Sequence, residues 1–231
     1  MKKIAVLSGA GVSAESGIKT FRDSNGLWEE YRVEDVASIE GWHRNRELVL
    51  EFYNARRRAL QNAKPNEAHK IIASLQDDFD VCVITQNVDN LHERAGSNKI
   101  IHLHGELTKA RSVKDEFITY DIGYNDIKLG DKAPDGGQLR PFIVWFGESV
   151  PELGRAAKEV GKADILIIIG TSLNVYPAAG LIHYTKPGCK IYLIDPQPMN
   201  LKMDNFTQIQ DVATEGMRKL KEVLLKENTL L

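Results

Sequence analysis

Three short polar clusters in this 231-residue chain combine residue types suited to holding a polar ligand and moving a proton. In "TQNVDNLH" (85–92), Gln86, Asn87 and Asp89 place two amides and a carboxylate within four residues, where a helix would begin. Helix capping accounts for one Asn or Asp comfortably. Three such groups suit a ligand carrying a carboxamide or a ribose, which needs donors and acceptors together. "IHLHG" (101–105) adds His102 and His104. A histidine near its ordinary pKa can take a proton from a hydroxyl, and a satisfied structural histidine is the competing reading for either one. Two residues apart in a strand, they are expected to point the same way, with His104, beside Gly105, better placed to emerge into a cleft.

The segment "SGAGVSAESGIKTFR" (8–22) follows the apolar run "KKIAVL" and so leaves the carboxyl end of a buried strand, where α/β sheets bind ligands. Gly9, Gly11 and Ala14 fit the spacing G-x-G-x-x-G/A, in which small residues admit a pyrophosphate to backbone N–H groups and a helix N-terminus. Ser16-Gly17 interrupts the helix after about one turn, and no second strand with a terminal acid follows. An ordinary nicotinamide dehydrogenase is therefore disfavoured, and the loop reads either as a cover over a ligand or as a Gly/Ser-rich surface turn. Two further strand ends carry polar groups. "ADILIIIG" runs into Gly170, Thr171 and Ser172, and "KIYLI" ends at Asp195, which offers an acceptor for ribose hydroxyls or a turn with Pro196. A ligand as long as a dinucleotide accounts for polar groups at four strand ends better than four independent caps.

The elements that must position these groups are apolar runs at 3–8, 79–85, 100–103, 141–146, 163–169 and 190–194, mostly continuous and so expected to be buried on both faces. Helical patterns lie between several of them, at 66–76, 87–95, 151–161 and 176–185, and "EGMRKLKEVLLKENTLL" reads as an amphipathic closing helix. The order predicts an α/β fold with a doubly wound parallel, Rossmann-like sheet. The core is expected over about 1–22, 65–104 and 139–231. A small inserted domain is expected over about 23–64, which is helical and charged, and 105–138, which has no strong period.

The composition is 42% hydrophobic and 27% charged, ordinary for a soluble globular protein. The net charge of −2 gives no general pull toward nucleic acid or anionic membrane. Cys82 and Cys189 sit in apolar runs, where a thiol behaves as a small hydrophobe. Neither a signal-peptide core nor an apolar run of membrane-spanning length is visible, and a cytoplasmic location is expected.

Taken in order, "GAGVSAESGIKTFR", "TQNVDNLH", "LHG", "LRPFIVWFGE" and "GTSLNVYPAAG" resemble the sirtuins, NAD-dependent protein-lysine deacylases, over nearly the whole chain. Lys19 and Asn90 depart from the commoner proline and glycine of that family. The resemblance implies NAD as cofactor and acyl-lysine proteins or peptides as partners. It implies an NAD loop containing Gly9, Ala10, Gly11, Ser13, Phe21 and Arg22, with Gln86 on ribose, and Asn87 and Asp89 at the nicotinamide end. Gly170, Thr171, Ser172, Asp195 and Val212 would line the rest of the dinucleotide site. His104 would be the base that deprotonates a ribose hydroxyl after the acyl oxygen displaces nicotinamide, giving free lysine and O-acyl-ADP-ribose. Val144, Phe146, Gly147 and Glu148 would edge the substrate cleft, where a peptide adds as a strand. Sirtuins usually carry four zinc-binding cysteines between "HG" and "RP". Residues 106–138 hold neither cysteine nor histidine, so no structural zinc is expected.

The helix pattern "RELVLEFYNARRRALQ" places Val49, Tyr53, Arg56 and Leu60 on one face and Arg58 opposite. From pattern alone, Arg56 reads as a stem covering apolar surface. The Tyr-x-x-Arg pair, however, resembles the signature of sirtuins that remove succinyl, malonyl or glutaryl groups, and a guanidinium with a phenol suits a carboxylate. Desuccinylation or demalonylation is the leading expected activity, deacetylation the second. The alternatives are an NAD hydrolase or ADP-ribosyltransferase using the same pocket, and a non-catalytic NAD or ADP-ribose sensor.

Overall fold

The computed structural model describes residues 1–19, 31–199, 203 and 205–228 in full, with the backbone of 27, 28 and 229. In chain order the strands are β1 (Lys3–Ser8), β2 (Leu27–Trp28), β3 (Tyr31–Arg32), β4 (Asp80–Thr85), β5 (Ile100–His102), β6 (Gly105–Ser112), β7 (Thr119–Asp121), β8 (Leu139–Ile143), β9 (Ile165–Ile169), β10 (Lys190–Ile194) and β11 (Phe206–Ile209). The helices are α1 (Val33–Val36), α2 (Ile39–Arg44), α3 (Arg46–Asn62), α4 (Glu67–Ser74), α5 (Leu91–Arg94), α6 (Leu153–Lys162) and α7 (Ala213–Thr229). Six strands form a parallel sheet in the order β11-β10-β9-β1-β4-β5. β7, β6 and β8 form a small antiparallel sheet, and β2 pairs with β3.

Alternate side chains of the same strands build two layers, because successive Cβ atoms leave opposite faces of a sheet. Ile4, Val6, Ile165 and Ile167 pack toward α4 and α7, against Ile72, Met217 and Leu220. Ala5, Leu7, Leu166 and Ile168 pack on the other face against Ala156 and Val160 of α6 and Leu181. Leu181 belongs to a 3-10 helix over Ala178–Tyr184, where the sequence pattern predicts an ordinary helix. Both thiols are free and buried within the sheet region, and burial pushes Cys82 up to about 11.

The run at 141–146 is not a member of the parallel sheet. β8 pairs antiparallel with β6, since the chain between β5 and β8 supplies no crossover helix to return it in the parallel sense. The stretch 105–138 hides two strands for a related reason. β6 buries Gly105, Leu107, Ala110 and Ser112, three of them small, and a register shift between Glu106 and Ala110 breaks its period. The apolar-run pattern does not predict β11, because "FTQI" has no apolar run and lies at a sheet edge.

Helix α3 fastens the small sheet. Asn54 donates to Ile127 O and accepts from Ile127 N–H, both at 2.9 Å, so one amide imitates a strand partner. The fully buried Arg57 donates to Leu107 O at 2.7 Å and Asn54 Oδ1 at 2.8 Å. Among the described residues, no helix is long and apolar enough to cross a membrane.

Candidate active site

The loop after β1 and the loop after β9 interlock through their glycines. Gly9 N–H donates to Ile169 O at 3.0 Å and Gly11 N–H to Gly170 O at 2.8 Å. A Cβ on Gly11 would lie 2.7 Å from Gly170 Cα, and one on Gly170, at φ +63°, would lie 2.2 Å from Val12 N. The two loop glycines are thus needed for backbone to approach backbone. Their own N–H groups are already bonded, so they do not serve as the phosphate donors that the spacing suggests. The chain then runs through a 3-10 helix, Ala10–Ser16, which ends at Gly17 with φ 82°. Phe21 and Arg22 lie outside the described residues.

Behind this loop lies a buried polar network. Ser13 Oγ donates to Asp89 Oδ2 at 2.9 Å, and Asn87 Nδ2 donates to Ser13 Oγ at 3.2 Å. The single Ser13 proton goes to the carboxylate, so His69 Nε2, 3.4 Å away, must also donate. Asp89 Oδ1 accepts from Leu91 N–H at 3.0 Å. Burial pushes the Asp89 carboxyl up, against the pull of Leu91 N–H and the Ser13 hydroxyl. Asn87 N–H donates to Thr85 Oγ1, which also accepts from Ser8 Oγ, and His92 Nε2 lies 3.0 Å from Ser8 Oγ. Asn66 caps α4, forms a capping box with His69, and donates to Val12 O at 2.8 Å. The helix expected at 87–95 is confined to α5 because Asn87 and Asp89 keep the preceding turn in loop form through these bonds.

Burial holds both network imidazoles neutral: His69 falls to about 4 and His92 goes well below its ordinary value. The unfolded chain binds a proton at His69 near pH 6.5, the fold only near 4. Stability from this group is therefore complete above 6.5 and is lost as pH falls toward 4, by roughly 3 kcal/mol. Urea midpoints at pH 7 and pH 5 are expected to fall further for the wild-type chain than for His69→Gln.

The two histidines of "IHLHG" separate. β5 ends at His102, so His104 lies in a turn and the two do not share a strand face. His102 Nδ1 donates to Asn87 O at 3.2 Å, and its Nε2 is 2.6 Å from Glu93 Oε1. Burial lowers His102, but the Glu93 bond and charge outweigh it and leave the pKa raised. Glu93, His102 and Glu106 bring donor atoms within 4.8 Å of one another. The His102–Glu93 and Lys109–Glu106 pairs, the latter at 2.7 Å, account for that cluster. His104 Nδ1 donates to Gln86 O at 3.1 Å, which leaves Nε2 as the basic nitrogen. Burial lowers its pKa against the opposing Gln86 carbonyl. His104 is therefore neutral at pH 7, the form that accepts a proton.

One cavity of about 790 Å³ gathers the expected residues. Gly9, Ala10, Gly11 and Ser13 form one wall, with Gln86, Asn87, Asp89 and His104 beside them. Gly170, Thr171, Ser172, Asp195 and Val212 continue it. Gln86 Nε2 donates to Thr171 Oγ1 at 3.1 Å, joining two strand ends. Buried Asp195 accepts from Gln197 N–H at 3.0 Å, so it serves the turn while lining the cavity. Tyr53, Arg56, Val144, Phe146, Gly147 and Glu148 line the other end. Arg56 lies over the Phe52 ring, 5.3 Å from its centroid, and Tyr53 Oη accepts from Trp145 Nε1 at 2.9 Å. Glu148 lines the cavity, yet its carboxylate accepts from Arg140 at 2.7 and 3.0 Å, from Arg111 at 3.1 Å and from Trp145 N–H at 2.9 Å. It clasps the segment rather than presenting a free carboxylate.

A parallel sheet whose strand ends meet at one cleft, interlocked glycine loops and a small antiparallel sheet across that cleft define a dinucleotide-binding α/β protein. Residues 9–177 match the Sir2 family, and the chain belongs to that family. It is 55% identical over 231 residues to the NAD-dependent protein deacylase of Bacteroides thetaiotaomicron, covering 97% of this chain and 99% of the relative. The NAD-dependent protein deacylase of Helicobacter pylori strain 26695 is 52% identical over 227 residues, covering 98% and 99%. The crystal structure of a Sir2 homologue–NAD complex superposes with a TM-score of 0.88 at 40% identity, covering 98% of this chain and 91% of that one.

Proposed function

We propose that this chain is an NAD-dependent protein deacylase acting on acyl-lysine, with succinyl or malonyl groups preferred and acetyl groups second. The observation that carries the reading is a neutral histidine base in the same cavity as a Tyr-x-x-Arg pair one helical turn apart. The relatives support the deacylase part, and the physics of a guanidinium beside a phenol supports the acidic acyl group.

The cleft suits NAD in its donor set. The interlocked glycine loops form one wall of the cavity, and carboxamide and ribose hydroxyls find the Asn87, Asp89, Gln86 and Asp195 groups there. Bound there, NAD supplies an electrophilic ribose carbon with nicotinamide as its leaving group. Asn87 and Asp89 hold the nicotinamide end, fixed from behind by Ser13. Gln86 and Thr171 orient ribose, and Asp195 accepts from the distant hydroxyls. His104 Nε2 takes the proton of a ribose hydroxyl while Gln86 O holds Nδ1–H and hence the ring orientation. Val144 to Gly147 edge the acyl-lysine end. Phe146 is already paired through its backbone with Ala37 and Ile39, so strand addition by a peptide falls to its neighbours. Residues 106–138 carry no thiolate or imidazole for a tetrahedral zinc, and none is assigned there.

The test is incubation with NAD and matched succinyl- and acetyl-lysine peptides, following peptide and O-acyl-ADP-ribose by mass spectrometry. Succinyl preference is expected. Nicotinamide release without either peptide would favour an NAD hydrolase. Arg56→Met is expected to lower kcat/KM for the succinyl peptide roughly 100-fold, from loss of a charge-assisted bidentate contact, while acetyl turnover changes little. Equal loss on both peptides would assign Arg56 a packing role.

A further inference from the structure

Resting on the reading of Tyr53 and Arg56 as a carboxylate-binding pair, we infer that Trp145 is a specificity-determining residue, because its indole N–H fixes the direction of the Tyr53 hydroxyl proton.

An indole N–H only donates, so at 2.9 Å the Tyr53 oxygen must be the acceptor. The phenol proton is thereby excluded from that direction. Among the described residues Trp145 is the sole hydrogen-bond partner of Tyr53 Oη, so the proton has no internal acceptor to occupy it. Tyr53 and Arg56 line the same cavity, and the Arg56 charge acts on the phenol. The phenol proton and the guanidinium are then two donors offered to one acceptor group. A phenol that accepts a hydrogen bond also becomes a better donor, because successive bonds polarise one another. Burial pushes the Tyr53 pKa upward, so the proton is retained at all ordinary pH values. A carboxylate-terminated acyl chain can accept from both groups; the methyl end of an acetyl chain can accept from neither.

Trp145 is itself held on three sides. Its backbone N–H donates to Glu148 Oε2, the Arg140 guanidinium lies 3.5 Å from its ring centroid, and Trp42 packs at 5.5 Å with a 35° tilt. The donor therefore cannot swing away, and the phenol direction is set before any acyl group enters. On the reading of Tyr53 as an acid-reading residue, it would meet the acyl end from its buried place in the cavity wall, and Trp145 acts through it as a positioning residue.

The experiment measures kcat/KM for matched succinyl and acetyl peptides in wild type, Trp145→Phe, Tyr53→Phe and the double variant. A wild-type enzyme without succinyl preference overturns the acid-reading assignment itself, before any variant is made, and this inference with it. Given that preference, Trp145→Phe is expected to lower the succinyl-to-acetyl ratio roughly tenfold, and to change it no further in the Tyr53→Phe background. An unchanged ratio in Trp145→Phe overturns the inference. So does an equal drop in the Tyr53→Phe background, which would mean that Trp145 acts by packing alone. Because the indole is buried, a second variant replaces it with 3-benzothienylalanine, which keeps the bicyclic shape and lacks the N–H. It is expected to reproduce the tenfold loss in the succinyl-to-acetyl ratio, and a wild-type ratio in that variant would also overturn the inference.

Discussion

Replacing His104 with alanine is expected to lower deacylation by about 10²–10⁴-fold, the contribution typical of a positioned general base, while melting temperature and NAD binding persist. The ring reaches its place through Nδ1–H on Gln86 O, and its basic Nε2 faces a cavity lined by the groups assigned to ribose. Its pKa lies below the usual histidine value because of burial. The acid limb of the wild-type pH–rate profile is therefore expected below pH 6.5, with activity level through neutrality. His104→Asn leaves an amide that can still donate to Gln86 O but cannot take the proton, and it should fail as completely as alanine. Undiminished turnover by either variant would remove His104 as the base.

Glu148→Ala is expected to produce the largest loss of stability. Arg140, only 3% exposed, would lose both bonds to the carboxylate and remain as an uncompensated buried charge. Breaking such a pair from one side costs about 3–5 kcal/mol, which for a chain of this length lowers Tm by roughly 10 °C. Glu148→Gln keeps one acceptor and should fall between. Both peptides are expected to lose turnover as the cleft edge loosens, the succinyl peptide more, because Trp145 loses the bond from its backbone N–H to Glu148. A variant with unchanged Tm but weakened peptide binding would instead make Glu148 a substrate contact, as its position in "VWFGE" suggests.

That contrast shows where sequence reading succeeds and where it stops. The strands β1, β4, β9 and β10 are continuous apolar runs, and their polar ends are legible because ligands meet parallel sheets at the carboxyl edge. The cluster at 86–89 is readable from local spacing for the same reason, whereas the Tyr53–Arg56 row reads from pattern alone as a stem over apolar surface and takes its acid-reading role only from the family resemblance. The support behind them was not. Ser8 and Thr85 are 77 residues apart, Ser13 and His69 are 56 apart, and no local period signals that they meet. Nor does "FGE" reveal that its acid is committed to Arg140 and Arg111. His102 and His104 look equivalent in sequence, and only the carbonyl and carboxylate around each ring divide them into an ion-pair member and a base. β6 and β11 escaped because small and polar residues at strand positions erase the hydrophobic alternation.

The cavity walls come from segments that begin at Gly9 and end at Ala213, drawn from both ends of the chain and most of what lies between. A dinucleotide lying across them acts as a reversible clasp among parts that no disulfide joins. On the proposed reading, NAD at a hundredfold excess over its Kd adds about 2.7 kcal/mol to the folded state. Resistance to proteolysis, and with it the lifetime of the protein, would then rise and fall with the supply of the same molecule that its chemistry consumes.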